Sequence, residues 1–314
     1  MTAIAIPIKK QTISERTLSQ RKSELLLAVA IIARSTSLIF SKMALGALSP
    51  FNLLALRFIT AFILLGVIFS KQLIHIKSKE IVKGMILGVL YTGLLATELF
   101  GLRMTDTGTA SFIENSAMIF VPLIQLVLFR KKLAGNDLLR LILAIGGIAV
   151  LTLGKSGGLL KGGSIFLIAA AIFYASAITA TASFSKECNP LALGIVQIGT
   201  VGILSLILSC IFESPRLPQN GMEWGMVLAL AVICSGVGFT LQPIAQRGTS
   251  AERAGMMCAI SPMSAAILGI IFLSEGITVA KIIGFALILL SLSAEPLIKA
   301  IKKRSAKLSV QTTL

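Results

Sequence analysis

Residues 50–70 read PFNLLALRFITAFILLGVIFS, twenty-one residues carrying one charge, Arg57. At 1.5 Å rise per residue such a run makes a helix about 30 Å long, the thickness of a bilayer's hydrocarbon core. Nine further stretches repeat this pattern, at 24–44, 81–102, 107–129, 137–154, 163–184, 190–212, 221–242, 250–273 and 278–297. The connections between them are too short for a soluble domain. Composition agrees: 55% of the 314 residues are apolar, 13% are charged and mean hydropathy is +0.92, which excludes an ordinary cytosolic enzyme. The expected fold is an all-α integral membrane protein with ten transmembrane helices.

The net charge of +16 suggests either nucleic-acid binding or basic loops at a membrane. With the N-terminus inside, 21 of the 29 basic residues flank the cytoplasmic ends of the spans and six the opposite side, leaving Arg34 and Arg57 within spans. That asymmetry is the positive-inside pattern, and ten spans return the C-terminus to the same side. The expected location is the cell (inner or plasma) membrane, multi-pass, with both termini cytoplasmic. No stacking aromatics are interleaved with the basic residues, so no nucleic-acid partner is expected. Residues 1–23 read as a cytoplasmic lead-in rather than a cleaved signal, and 298–314 as a basic cytoplasmic tail. One histidine (His75), in a basic loop, argues against a His-based metal or catalytic site, and the lack of a Walker A run against ATP hydrolysis. The four cysteines have no C-x-x-C spacing and say nothing of redox compartment, and no cofactor is expected.

The chain also carries an internal duplication. SPFNLLALRF (49–58) aligns with NPLALGIVQI (189–198) at an offset of 140, and LRMTDTGTAS (102–111) with QRGTSAERAG (246–255) at 144. At these offsets Arg34 meets Tyr174, Arg57 meets Gln197, Glu98 meets Gln242 and Glu114 meets Cys258. Five spans, an odd number, separate the copies. The expectation is two inverted five-helix repeats, 24–154 and 163–297, with substrate bound between them near the midplane.

Lys42, Pro50 and Arg57-Phe58, together with TASFIENSAMIFVPLIQLVLFRKKL (109–133) and AGMMCAISPMSAAILGIIFLSEGI (254–277), give the chain its resemblance. It resembles the drug/metabolite transporter superfamily, in its ten-helix EamA-type branch, over about residues 24–300. The chain departs from that pattern at Arg34-Ser35, where Trp-Gly is common, and at Lys131, where an acid is common; Glu275 keeps the acid in the second copy. The resemblance implies secondary transport of a small metabolite, with the fifth and tenth spans at the edge as a homodimer surface.

Charged side chains inside a bilayer are costly and mark paths or partners. Arg34, Arg57, Glu98 and Glu114 lie within the first four spans and can neutralise one another. They pair as staples between helices, or they bind cargo: a glutamate takes a proton or an amine while an arginine takes a carboxylate. Glu114, Met118, Val121 and Gln125 recur on one helical face, as do Tyr91 and Glu98. The expected cavity gathers Arg34, Arg57, Tyr91, Glu98, Glu114, Gln125, Tyr174, Gln197 and Gln242. Pro122, Pro243 and Pro262 are candidate bends, and Gly146, Gly147 and Gly284 candidate packing positions.

The leading expectation is an exporter of amino acids or related zwitterions, with protons as a candidate co-substrate. An exporter of lipophilic cations or quaternary amines is the alternative. It is disfavoured because one Trp (Trp224) and two Tyr offer little for an aromatic cage. A membrane-embedded enzyme ranks lower, since no span holds a histidine.

Overall fold

The computed structural model describes residues 19–129 and 163–249, with parts of 142–150 and 251–290. The described residues form helices joined by tight turns: α1 (Gln20–Ala44), α2 (Pro50–Ile68), the single turn α3 (Ser70–Leu73), α4 (Ser78–Met104), α5 (Thr107–Asn115) and α6 (Ala117–Phe129). After 163 come α7 (Ser164–Glu187), α8 (Pro190–Phe212), α9 (Gly221–Ala229), a π-helical segment Leu230–Gly238, α10 (Phe239–Gln246) and α11 (Ile260–Leu273). Seven stretches among the described residues are long and apolar enough to cross a membrane, and they coincide with seven of the ten predicted spans. α11 falls within the ninth span. Most of the fifth span, residues 281, 288–289 and 291–297 of the tenth, Lys131, Cys258, Glu275 and the tail lie outside the described residues.

Sequence chemistry sets the helix ends. Pro50 and Pro190 open α2 and α8, where a missing N–H costs nothing. Asn189 Oδ1 accepts from the Leu191 and Ala192 N–H groups, and Asp106 Oδ1 from that of Thr109 at 2.8 Å. Other ends are closed from across the fold. Glu213, just after α8, accepts from the Phe51 and Asn52 N–H groups at 3.1 and 2.8 Å, and so caps α2. Arg216 ties the same corner by donating to the Ala47 carbonyl and to Glu223. At the opposite end Glu80 accepts from the N–H groups of Lys77 and Asn189, both at 3.0 Å, joining the start of α4 to the start of α8. Lys42 Nζ caps the end of α4 by donating to the Leu102 and Thr105 carbonyls.

The most extensive helix contacts join the chain before residue 130 to the chain after 163. α2 and α4 pack on α8, α4 on α7, α1 on α11 and on the Gly221–Gln246 span, and α5 on α11. Gly84 and Gly88 let α4 and α8 approach closely, since a Cβ on either would sit 2.6 and 2.3 Å from Val196 and Thr200 side-chain atoms. The outer faces stay apolar and exposed, with Val67 72%, Ile63 58% and Ile271 65% accessible. A helical bundle with a greasy exterior and polar groups inside has lipid as its solvent.

Candidate functional site

Arg34 stands midway along α1 and reaches into the second half of the chain. Its Nη1 donates to the Tyr174 hydroxyl at 3.0 Å on α7 and to Gln242 Oε1 at 2.8 Å on α10. Three aromatic rings surround the guanidinium: Phe239 and Tyr174 with centroids at 4.6 and 4.8 Å, and Tyr91 at 5.9 Å. The Tyr91 and Phe239 rings meet edge to face at 5.0 Å. The π-helical segment delivers Phe239, because its wider turn alters the helix register within the span. Gly238 is required there, since a Cβ at that position would lie 2.7 Å from Arg34 Cγ.

Arg57 is 1% exposed and is held differently. Nε donates to Ser235 Oγ at 3.0 Å, and Nη1 to Ser37 Oγ at 3.1 Å and Ser41 Oγ at 3.4 Å. Its Nη2 is buried without a hydrogen-bond partner. Ser37 and Ser41 lie one turn apart on the α1 face that also bears Arg34, and Ser235 comes from the π-helical segment. Glu98 lies within Coulombic reach of both arginines, and Glu114 within reach of Glu98 and Arg34. All four charged side chains line one small cavity, together with Asn115 and Ser261. At about 20 Å³ it has room for one water molecule, so the helices are closed around the site.

Seven of the nine predicted residues therefore converge through Arg34, Arg57 or this cavity: the four charges, Tyr91, Tyr174 and Gln242. Gln197, the eighth, stands one layer back and donates to the Phe239 carbonyl at 3.0 Å. Gln125 is buried on α6 and does not line the cavity. The spacing that links it to Glu114 presumes an unbroken helix, but α5 ends at Asn115. The Ser116 hydroxyl bonds back to the Ile113 carbonyl and α6 begins afresh at Ala117. The staple expectation also changes, since serine hydroxyls hold Arg57. Sequence reasoning missed Ser37, Ser41, Ser235 and Phe239. The Arg34, Ser37, Ser41 spacing is a readable polar stripe, whereas nothing local marks Phe239 among sixteen phenylalanines. Among the described residues no group of three His, Cys, Asp or Glu side chains is placed to hold a metal ion.

Comparison with known proteins fits this arrangement. The profile of the EamA-like transporter family matches the chain twice, at residues 21–153 and 161–294. The chain belongs to the EamA-like transporter family. Among its relatives are proteins each named an uncharacterized transporter. One, from Methanothermobacter thermautotrophicus, is 29% identical over 205 residues, covering 62% of this chain and 59% of that protein's length. Another, from Archaeoglobus fulgidus, is 25% identical over 84% of this chain and 82% of its own. YetK of Bacillus subtilis is 24% identical over 84% and 83%. A solved crystal structure, 19% identical, superposes with a TM-score of 0.68 over 89% of this chain and 98% of the other, which shows a shared fold. As an EamA-type member of the drug/metabolite transporter superfamily, the chain is a multi-pass membrane protein whose surroundings are the lipid bilayer.

Proposed function

We propose that this chain is a secondary active transporter that exports small zwitterions of the amino-acid type across the cell membrane by alternating access. Arg57 carries the reading. A guanidinium buried in the membrane with Nη2 unpartnered is costly to retain, and a substrate carboxylate would satisfy it with a charge-assisted hydrogen bond. The ammonium of the same substrate faces Glu98 or Glu114 across the cavity, and one of these glutamates exchanges the coupling proton.

Alternating access rests on two inverted repeats, 24–154 and 163–297, which the packing supports. Exchanging α1 with α7, α2 with α8, α4 with the Gly221–Gln246 span and α5 with α11 turns each major contact into another one: α4 on α7 becomes the Gly221–Gln246 span on α1. The Arg34–Tyr174 bond joins residues 140 apart, the repeat offset, so it sits where a pseudo-two-fold axis would pass. In this reading both termini are cytoplasmic, and the fifth and tenth spans at the edge pair two copies into a homodimer.

Export of an organic cation is the second reading, favoured by one observation. Both tyrosines and Phe239 do converge into a cage, which the scarcity of aromatics had argued against. Arg34 already fills it, so a cationic ligand must displace a tethered guanidinium. That ranks it below the zwitterion.

Counterflow into proteoliposomes decides between them. Amino acids are expected to exchange while their decarboxylated amines do not, and Arg57→Gln is expected to abolish that preference. Exchange of quaternary amines without exchange of any amino acid would overturn the first reading in favour of the second.

A further inference from the structure

At the end of the bundle where α4 and α8 begin, a second and larger hollow of about 750 Å³ opens between the α2–α4 corner and the α7–α8 corner. Its cationic lining is Lys71, Lys77, Lys79, Lys186 and Arg247, against two acids, Glu80 and Glu187. Both acids are already engaged. Glu80 accepts from the Lys77 and Asn189 N–H groups, and Glu187 lies 3.0 Å from Lys79 Nζ and 2.5 Å from Lys83 Nζ. Lys71, Lys77 and Lys186 are exposed around the opening. The N-terminal ends of α4 and α8 meet at the same place as the C-terminal ends of α7 and α10, so the helix dipoles offset one another and the positive charge rests on the side chains. Outside the lining, apolar side chains open outward on the neighbouring surface, with Ile68 at the end of α2 67%, Ile74 just after α3 79%, and Val82 and Met85 on α4 57% and 49% exposed.

We propose that this hollow binds the phosphodiester headgroup of an anionic lipid, with the acyl chains lying along the exposed apolar strip of α2 and α4. A phosphate gives the lysines one shared counter-charge, and the adjoining strip makes a lipid rather than a soluble phosphate ester the fitting source. Because the lining comes from both halves of the chain, a bound headgroup bridges them at this end.

The test uses the full chain in neutral detergent micelles doped with phosphatidylglycerol, phosphatidylcholine or no lipid, read by thermal melting and by native mass spectrometry of retained lipid. Phosphatidylglycerol is expected to raise the melting temperature and to remain bound, with retention at least tenfold above phosphatidylcholine. The triple variant Lys71→Gln, Lys77→Gln, Lys186→Gln is expected to lose both effects, and the corresponding triple Arg variant to keep them. Equal retention of the two lipids overturns the proposal, as does full binding by the Gln variant. If soluble glycerol phosphate alone reproduces the stabilisation, the anion is not lipid-borne and the proposal fails as well. Should the Gln variant fail to fold, the wild-type protein is compared at 0.05 M and 0.5 M salt, a change in screening length from about 14 to about 4 Å. Loss of lipid retention at the higher salt then supports the proposal, and retention that ignores salt overturns it.

Discussion

Arg34 and Arg57 occupy neighbouring regions of one polar core and are held in opposite ways. Arg34 spends its hydrogen bonds across the two halves of the chain, on Tyr174 and Gln242, and lies among three rings. Arg57 is braced by three serines and keeps Nη2 unpartnered. Both arginines thus reach across the halves, Arg57 through Ser235, but Arg57 also keeps a donor open. A substrate anion has something to gain at Arg57, whereas at Arg34 it competes with bonds already made.

The sharpest way to break this contrast is at Arg57. Arg57→Gln installs the residue found at its repeat counterpart, Gln197, and is expected to cut counterflow at least a hundredfold, since losing one partner of a buried ionic contact costs about 3–5 kcal/mol. Thermal melting of the same variant should change little. Normal transport by a poorly folded variant would instead make Arg57 a structural brace. Arg34→Gln should show the reverse pattern. It removes two charge-assisted hydrogen bonds and the ring contacts, and stability measured by denaturation is expected to fall by roughly 3 kcal/mol.

Tyr174→Phe keeps the ring beside Arg34 and removes only the hydroxyl, so a loss of about 1–1.5 kcal/mol is expected. In a double-mutant cycle with Arg34→Gln the two losses should be strongly non-additive, and additivity would mean that the bond carries no coupling. Ser235→Ala is the mildest change. Two serines still brace Arg57, so stability should drop by less than about 1 kcal/mol while transport is weakened a few-fold by poorer positioning of Nη2.

Much of this site was legible in the sequence because polar residues are rare in an apolar chain and each stands out by its cost. Arg34, Arg57, Glu98 and Glu114 were readable for that reason alone. Tyr174 and Gln242 were readable because the repeat offset sets Tyr174 opposite Arg34 and Gln242 opposite Glu98. Gln125 was misplaced because periodicity assumes an unbroken helix, and the interruption at Ser116 depends on a hydroxyl choosing a local carbonyl. Phe239 was invisible because a phenylalanine in a span usually signals nothing more than lipid or core.

Spans, helical class and the duplicated plan follow from the sequence by itself, because a bilayer imposes length and apolarity on every crossing segment and repeats leave an offset in the chain. Which partners each arginine takes, and which one keeps a donor open, was decided only by the tertiary structure. That choice turns on the register of the π-helical segment, which brings Ser235 to Arg57 and Phe239 to Arg34. No local pattern of apolar residues fixes such a register. It is set where helices from both halves pack and their few polar groups must find partners away from water.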